Sequence, residues 1–135
     1  MQCPLCAAEG EQVLWQDALC RAILVGDADY PGFCRVILNR HVKEMTDLEP
    51  AEQARLMTVV FAVEAALREI LAPDKINLAS LGNVVPHLHW HVIPRFRNDR
   101  HFPDPVWCQA RRPAALCSPV QSLPAALQQT LQRLL

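Results

Sequence analysis

The run Pro86-His87-Leu88-His89-Trp90-His91-Val92-Ile93-Pro94 sets three histidines two residues apart, with Leu88, Trp90 and Val92 around them. Alternation with a period of two is the pattern of a β-strand. It predicts His87, His89 and His91 on one face and the apolar side chains on the other. Side chains at that interval start about 6.6 Å apart, twice the strand rise. The chain has five histidines in all, so this run holds most of them. A core face does not carry three adjacent imidazoles without partners, because each unpaired buried polar group costs about 1–3 kcal/mol. The face is therefore expected to line something polar: a metal, an anion or a reacting phosphorus.

The 135 residues suffice for one domain with a hydrophobic core, 1–135, and the composition (51% hydrophobic, 20% charged) is that of a folded protein. A formal charge of −1 gives no broad attraction to nucleic acid or anionic lipid, so neither is expected as a partner. No apolar run reaches the length of a membrane span. The start, Met1-Gln2-Cys3-Pro4-Leu5-Cys6, lacks the basic and apolar regions of a signal peptide, so the expected location is cytoplasmic. In that reducing setting the six cysteines read as thiols or metal ligands rather than a disulfide framework.

Residues 12–15, 19–25 and 33–38 read as strands, with a turn at 16–18 and a loop at 26–32 dense in turn formers. Glu49-Pro50 opens a helix carrying Leu56, Val60, Val63, Leu67 and Ile70 at helical spacing, and Pro73 ends it. A strand at 76–81, a break at Gly82-Asn83 and the histidine strand follow. Residues 95–122 are irregular and rich in Pro and Arg. A short helix begins near Pro124 with Leu127, Leu131 and Leu134 on one side. The expected class is α+β: a five-stranded antiparallel sheet with one long helix packed on it and a short C-terminal helix.

Three chemistries fit the histidine run. Neutral imidazole attacks phosphorus and leaves again, so the middle histidine can carry a phosphoryl or nucleotidyl group. A hydrogen bond to one ring nitrogen then fixes which nitrogen attacks. Alternatively, strand histidines at i and i+2 reach one Zn²⁺, and three of them with an open position make a hydrolytic centre. The third reading is a water-bridged polar cluster without chemistry.

The stretch Gly82-Asn83-Val84-Val85-Pro86-His87-Leu88-His89-Trp90-His91-Val92-Ile93-Pro94-Arg95 resembles the His-φ-His-φ-His-φ-φ signature (φ apolar) of the histidine triad superfamily, in its bacterial diadenosine tetraphosphate hydrolase-like branch. Arg35-Val36-Ile37-Leu38-Asn39-Arg40-His41 is similar to the family's strand ending in a Pro-Lys-x-His type sequence. The resemblance implies a nucleotide hydrolase or transferase acting at the α-phosphate of a dinucleoside polyphosphate or nucleoside phosphoramidate. It makes His89 the nucleophile, His91 its supporting partner, and Asn83, Asn77 and Asp27 contacts to phosphate and ribose. It implies a homodimer and chemistry that requires no metal of its own. Where many members carry a fourth histidine, this chain has Phe33, so something else must hold His87.

Cys3-Pro4-Leu5-Cys6 has the spacing of half a zinc site. The resemblance adds His41 and His87, closing a structural Cys2His2 zinc site that ties the N-terminal segment 1–10 to the sheet. Two rivals remain: a metal-dependent hydrolase with all three histidines on one zinc, and a nucleotide-binding module with little turnover. Arg95, Arg97 and Arg100 read as a solvated loop of the irregular extension, 96–135, and His101 as a surface residue. Trp107 is expected to cover the pocket or a dimer seam. Cys20, Cys34, Cys108 and Cys117 read as ordinary thiols.

Overall fold

The computed structural model describes residues 2–115 and 121–135; Cys117 lies outside them. One helical turn, α1 (Pro4–Ala7), leads into β1 (Gln12–Gln16), β2 (Cys20–Leu24) and β3 (Cys34–Leu38). The long helix α2 (Pro50–Leu71), β4 (Lys75–Ala79), β5 (His89–Arg95) and α3 (Leu123–Leu134) complete the order. The strands form a single sheet in the order β1-β2-β3-β5-β4, antiparallel throughout. This is the α+β arrangement expected from the sequence.

Local chemistry sets the boundaries. Asp17 accepts the N–H groups of Leu19 and Cys20 at 2.9 Å each, which turns β1 into β2. Glu49 and Glu52 form a capping box around Pro50, and Ala72 in the left-handed region closes α2 just before Pro73. Gly32 lies at φ +91°, where a Cβ would come within 2.6 Å of Leu71 Cδ1, so glycine lets the loop into β3 pass against the end of α2.

The core lies between the sheet and the two helices. Cys20, Ala22, Cys34, Val36, Leu38 and Val92 face Leu56, Val59, Val60, Val63 and Leu67 of α2. The C-terminal helix packs on α2 and β1. Its buried stripe is Leu123, Leu127 and Leu131, while Leu134 is 41% exposed. That differs from the expected stripe because the helix starts one residue earlier and buries an i, i+4, i+8 row.

The opposite face presents Arg21, Ile23, Arg35, Ile37, His89, His91, Ile93 and Arg95, which the register sets side by side. This face is not left open. Ile93, Tyr30 and Phe33 form a small second cluster, and Val106 from the irregular segment packs on it. Arg95 holds that segment down. Its guanidinium is 2% exposed and donates Nε and Nη2 to Asp99 at 2.8 and 3.1 Å, Nη1 to Asn77 Oδ1 at 2.7 Å and Nη2 to the Asp104 carbonyl at 2.7 Å. Asp99 also accepts the N–H groups of Phe96, His101 and Phe102. Burial pushes the Asp99 carboxyl up, but Arg95 and those N–H groups outweigh it and hold it at about 2. Arg95 is thus a buried clamp and not part of a solvated loop. His101 is half-buried, stacked on Tyr30 and hydrogen-bonded to its hydroxyl.

Removing one partner of a buried ion pair leaves the other uncompensated. Asp99→Ala is therefore expected to cost about 3–5 kcal/mol in urea unfolding at pH 7, and to alter the fluorescence of the segment's Trp107.

Candidate active site and metal centre

Only two of the three triad histidines share the sheet face. The strand β5 starts at His89, after Pro86 and a tight turn in which His87 N–H donates to the Val85 carbonyl at 2.8 Å. Proline cannot donate to a ladder, so regular pairing begins beyond it. Strand alternation therefore does not govern His87. Its ring is fully buried, with Nε2 2.6 Å from the Leu38 carbonyl and Nδ1 3.4 Å from both Cys3 Sγ and Cys6 Sγ. A carbonyl only accepts, so Nε2 carries the proton and Nδ1 offers a lone pair to the thiols' corner. These contacts hold His87 where no fourth histidine is present. Phe33 packs edge-on to His91 instead, at 5.7 Å between ring centroids.

His41 completes that corner. Its Nδ1 lies 3.3 Å from Cys6 Sγ, and its ring stands edge-on to His87 at 5.0 Å. The ligand atoms of Cys3, Cys6, His41 and His87 all lie within 4.8 Å of one another. Tetrahedral Zn–S and Zn–N bonds put neighbouring S and N atoms about 3.5 Å apart, so the donor set and its spacing could hold a metal ion. The Leu38 carbonyl behind His87 supplies the outer hydrogen bond such ligands use. Arg21 fastens the segment to the sheet: it donates to the Leu5 carbonyl at 2.7 Å and grips Glu11 at 2.6 and 2.9 Å. Sequence reasoning missed Arg21, because a lone arginine in a strand carries no spacing signal.

His89 and His91 lie together on the sheet face, both buried, with rings edge-on and centroids 4.9 Å apart. His89 Nδ1 is 2.6 Å from the carbonyl oxygen of His87. The same rule applies: Nδ1 donates, and Nε2 keeps its lone pair. Arg35 Nε donates to His91 Nδ1 at 3.4 Å, so His91 is the tautomer with its proton on Nε2. Burial lowers the His91 pKa, with help from His89 and Arg35, to about 4.

The other sequence-predicted residues are spread around this pair. Asn77 lies two rungs along β4, its oxygen taken by Arg95. Asp27 and Asn83 are exposed in two loops; Asp27 accepts the Asp29 N–H at 2.9 Å. Neither hydrogen-bonds to a triad histidine among the described residues. Trp107 sits edge-on to His91 at 5.0 Å while remaining 51% exposed. It also lines a cavity of about 540 Å³ with Asn77, Ala79, Pro103 and Pro105. That volume is in the range of small-ligand sites.

The HIT domain family model matches residues 8–98. The chain belongs to the HIT, or histidine triad, family. A histidine triad protein from Bradyrhizobium japonicum is 35% identical, with a TM-score of 0.78 and 93% of each chain covered. Another from Marinobacter aquaeolei is 31% identical, with a TM-score of 0.77, covering 96% of this chain and 94% of that one. Among curated relatives, the asymmetrical bis(5'-nucleosyl)-tetraphosphatase of Schizosaccharomyces pombe is 30% identical over 76% of this chain. The AP-4-A phosphorylase of Mycobacterium tuberculosis is 31% identical over 53% of it. The HIT chain spans 59% and 40% of the lengths of these two relatives. No helix among its described residues is long and apolar enough to cross a membrane.

The depressed His91 pKa has a definite sign. The folded state favours the neutral ring, so its contribution to stability is fully present above about pH 6.5 and is lost as pH falls toward 4. Urea midpoints of the wild type are expected to fall across that window. His91→Gln, which keeps an amide but cannot titrate, is expected to make the fall shallower.

Proposed function

We propose that this HIT protein is a nucleotide hydrolase or transferase. It acts at the α-phosphate of a dinucleoside polyphosphate or nucleoside phosphoramidate, with His89 as nucleophile. The observation that carries the reading is the 2.6 Å contact between His89 Nδ1 and the His87 carbonyl. It commits the ring's proton to the backbone and leaves Nε2 as the attacking atom.

In this reading the Nε2 lone pair forms a bond to the α-phosphorus. The bond from phosphorus to the leaving group breaks, and its electron pair departs with that group. The ring becomes positive, and the His87 carbonyl stabilises the proton on Nδ1. Water then attacks phosphorus, the N–P bond breaks, and a mononucleotide and a proton are released with neutral His89 restored. Neutral His91 offers its Nε2–H to a phosphoryl oxygen. Asn83, Asn77 and Asp27 are proposed contacts to phosphate and ribose. The names of the curated relatives support a dinucleoside polyphosphate as the substrate class. A homodimer acting in the cytoplasm completes the reading.

We further propose that Cys3, Cys6, His41 and His87 hold a structural zinc ion. When bound, the ion would fix the N-terminal turn and the His87 ring while four protein ligands leave it no open position. A single catalytic zinc on all three triad histidines fits less well, because His87 Nδ1 faces the cysteines and His89 Nδ1 is occupied by a carbonyl.

Two measurements test these readings. Wild-type protein is expected to release AMP from diadenosine tetraphosphate or adenosine phosphoramidate, and ADP if orthophosphate replaces water as acceptor. A folded His89→Ala variant is expected to lose turnover by at least about 10³-fold, as nucleophile removal does elsewhere. Equal turnover in both would remove His89 as nucleophile, and tight AMP binding without turnover in the wild type would favour a binding module. Elemental analysis is expected to find one zinc per chain, absent from Cys3→Ser with a lowered melting temperature. Zinc-free wild type of unchanged stability would refute the metal site.

A further inference from the structure

Three arginines share the face that carries His89 and His91, and they differ in one respect. Arg21 is closed by Glu11 at 2.6 Å, and Arg95 by Asp99 at 2.8 Å. Arg35 has no carboxylate within ion-pair distance among the described residues. It stands directly across from His91 in the β3–β5 register, half-buried, with its guanidinium 5.8 Å from the centre of the Phe33 ring. Among the described residues its one side-chain hydrogen bond is the Nε contact to His91. The two terminal nitrogens, the edge that matches a carboxylate or phosphate, have no hydrogen-bond partner among those residues. Asp27 and Glu11 act on it only from a distance, and Glu11 is already engaged by Arg21.

Removing a cation from water without pairing it is unfavourable unless something else meets it. The Phe33 ring meets one face of the guanidinium at 5.8 Å, but an aromatic face takes no N–H edge, so that contact leaves the terminal N–H groups for an anion. The guanidinium lies beside His91, whose ring is in edge contact with His89, the two histidines proposed to handle a phosphate.

We infer that Arg35 is the anion receptor of this site, its terminal N–H groups taking non-bridging phosphoryl oxygens of the substrate beside His89 and His91. The inference rests on the nucleotide reading above and deepens it. His89 supplies the attacking lone pair and His91 one neutral donor, so Arg35 is the fixed positive charge that the phosphate meets. It also assigns a direction to the site: the phosphate lies over the β3–β5 pair, on the Phe33 side of His91.

The test is calorimetric binding of AMP and of adenosine to the wild type, Arg35→Gln, Arg35→Met and Arg35→Lys, each checked for an unchanged circular dichroism spectrum. The two uncharged variants are expected to bind AMP about 10- to 100-fold more weakly, the effect of losing one charge-assisted contact. Adenosine, which has no phosphate, is expected to bind all four proteins alike, and Arg35→Lys to recover part of the AMP affinity. Arg35→Met keeps an unbranched apolar stem at the position, so it decides the matter if Arg35→Gln fails to fold. Undiminished AMP binding in a folded uncharged variant overturns the role of Arg35 and leaves the nucleotide reading standing. Equal loss of AMP and adenosine also overturns it, as a structural effect. A wild type that neither binds AMP nor turns over substrate overturns both.

Discussion

Everything at this site hangs on the way His87 is held. Its four polar groups are all engaged: the backbone N–H with the Val85 carbonyl, Nε2–H with the Leu38 carbonyl, Nδ1 with Cys3 and Cys6, and its own carbonyl with His89 Nδ1–H. Each bond fixes the next one's chemistry. The Leu38 carbonyl decides the tautomer, the tautomer decides which nitrogen can meet a metal, and the backbone oxygen decides the tautomer of His89. The ring is fully buried, so none of these choices is left to solvent. The first triad histidine thus orients the second through its backbone and faces Cys3 and Cys6 with its side chain. Pro86 and the Val85–His87 turn take it off the strand face and make that division possible.

The same economy of protons runs along β5. His89 and His91 are in contact, and two imidazolium ions at that distance in a buried site would repel strongly. The face avoids this by keeping His91 neutral, with burial, His89 and the Arg35 guanidinium all opposing its protonation. Positive charge on the face is carried by arginines, which do not titrate. Two are already neutralised by carboxylates and work as fasteners, Arg21 for the N-terminal turn and Arg95 for the segment that brings in Val106 and Trp107. The face is therefore assembled from the N-terminal turn and the segment that follows β5, and its unpaired positive charge is Arg35 among these three arginines.

How much of this was legible in the sequence depends on the range of the interaction. Strands β1 to β3 and helix α2 were readable because their periodicity is local, and the stripe of Leu56, Val60, Val63 and Leu67 packs as its spacing requires. The Cys3/Cys6 pair and the triad stand out in the sequence because they set particular residue types at short spacing, and the fold brings Cys3, Cys6, His41 and His87 together. Resemblance, not spacing, connected them to His41. The break before β5 was underestimated: alternation alone continues the strand back to His87, whereas Pro86 and the Val85–His87 turn stop it at His89. The 96–112 region gave no period, so Pro- and Arg-rich composition read as solvated loop. Its order comes from Asp99 gathering three backbone N–H groups and Arg95, which no hydrophobic pattern records.

Arg35 shows the limit most sharply. In Cys34-Arg35-Val36-Ile37-Leu38 it is a charge inside an apolar strand, and that much is visible in the sequence. What makes it informative is the β3–β5 register, which sets it beside His91, and the assignment of Glu11 to Arg21 and Asp99 to Arg95, which leaves it without a carboxylate partner among the described residues. Both are facts about contacts far apart in sequence. A residue's chemistry here follows from what its neighbours have already used, and pattern reading sees the donors and acceptors before it can see which of them are spoken for.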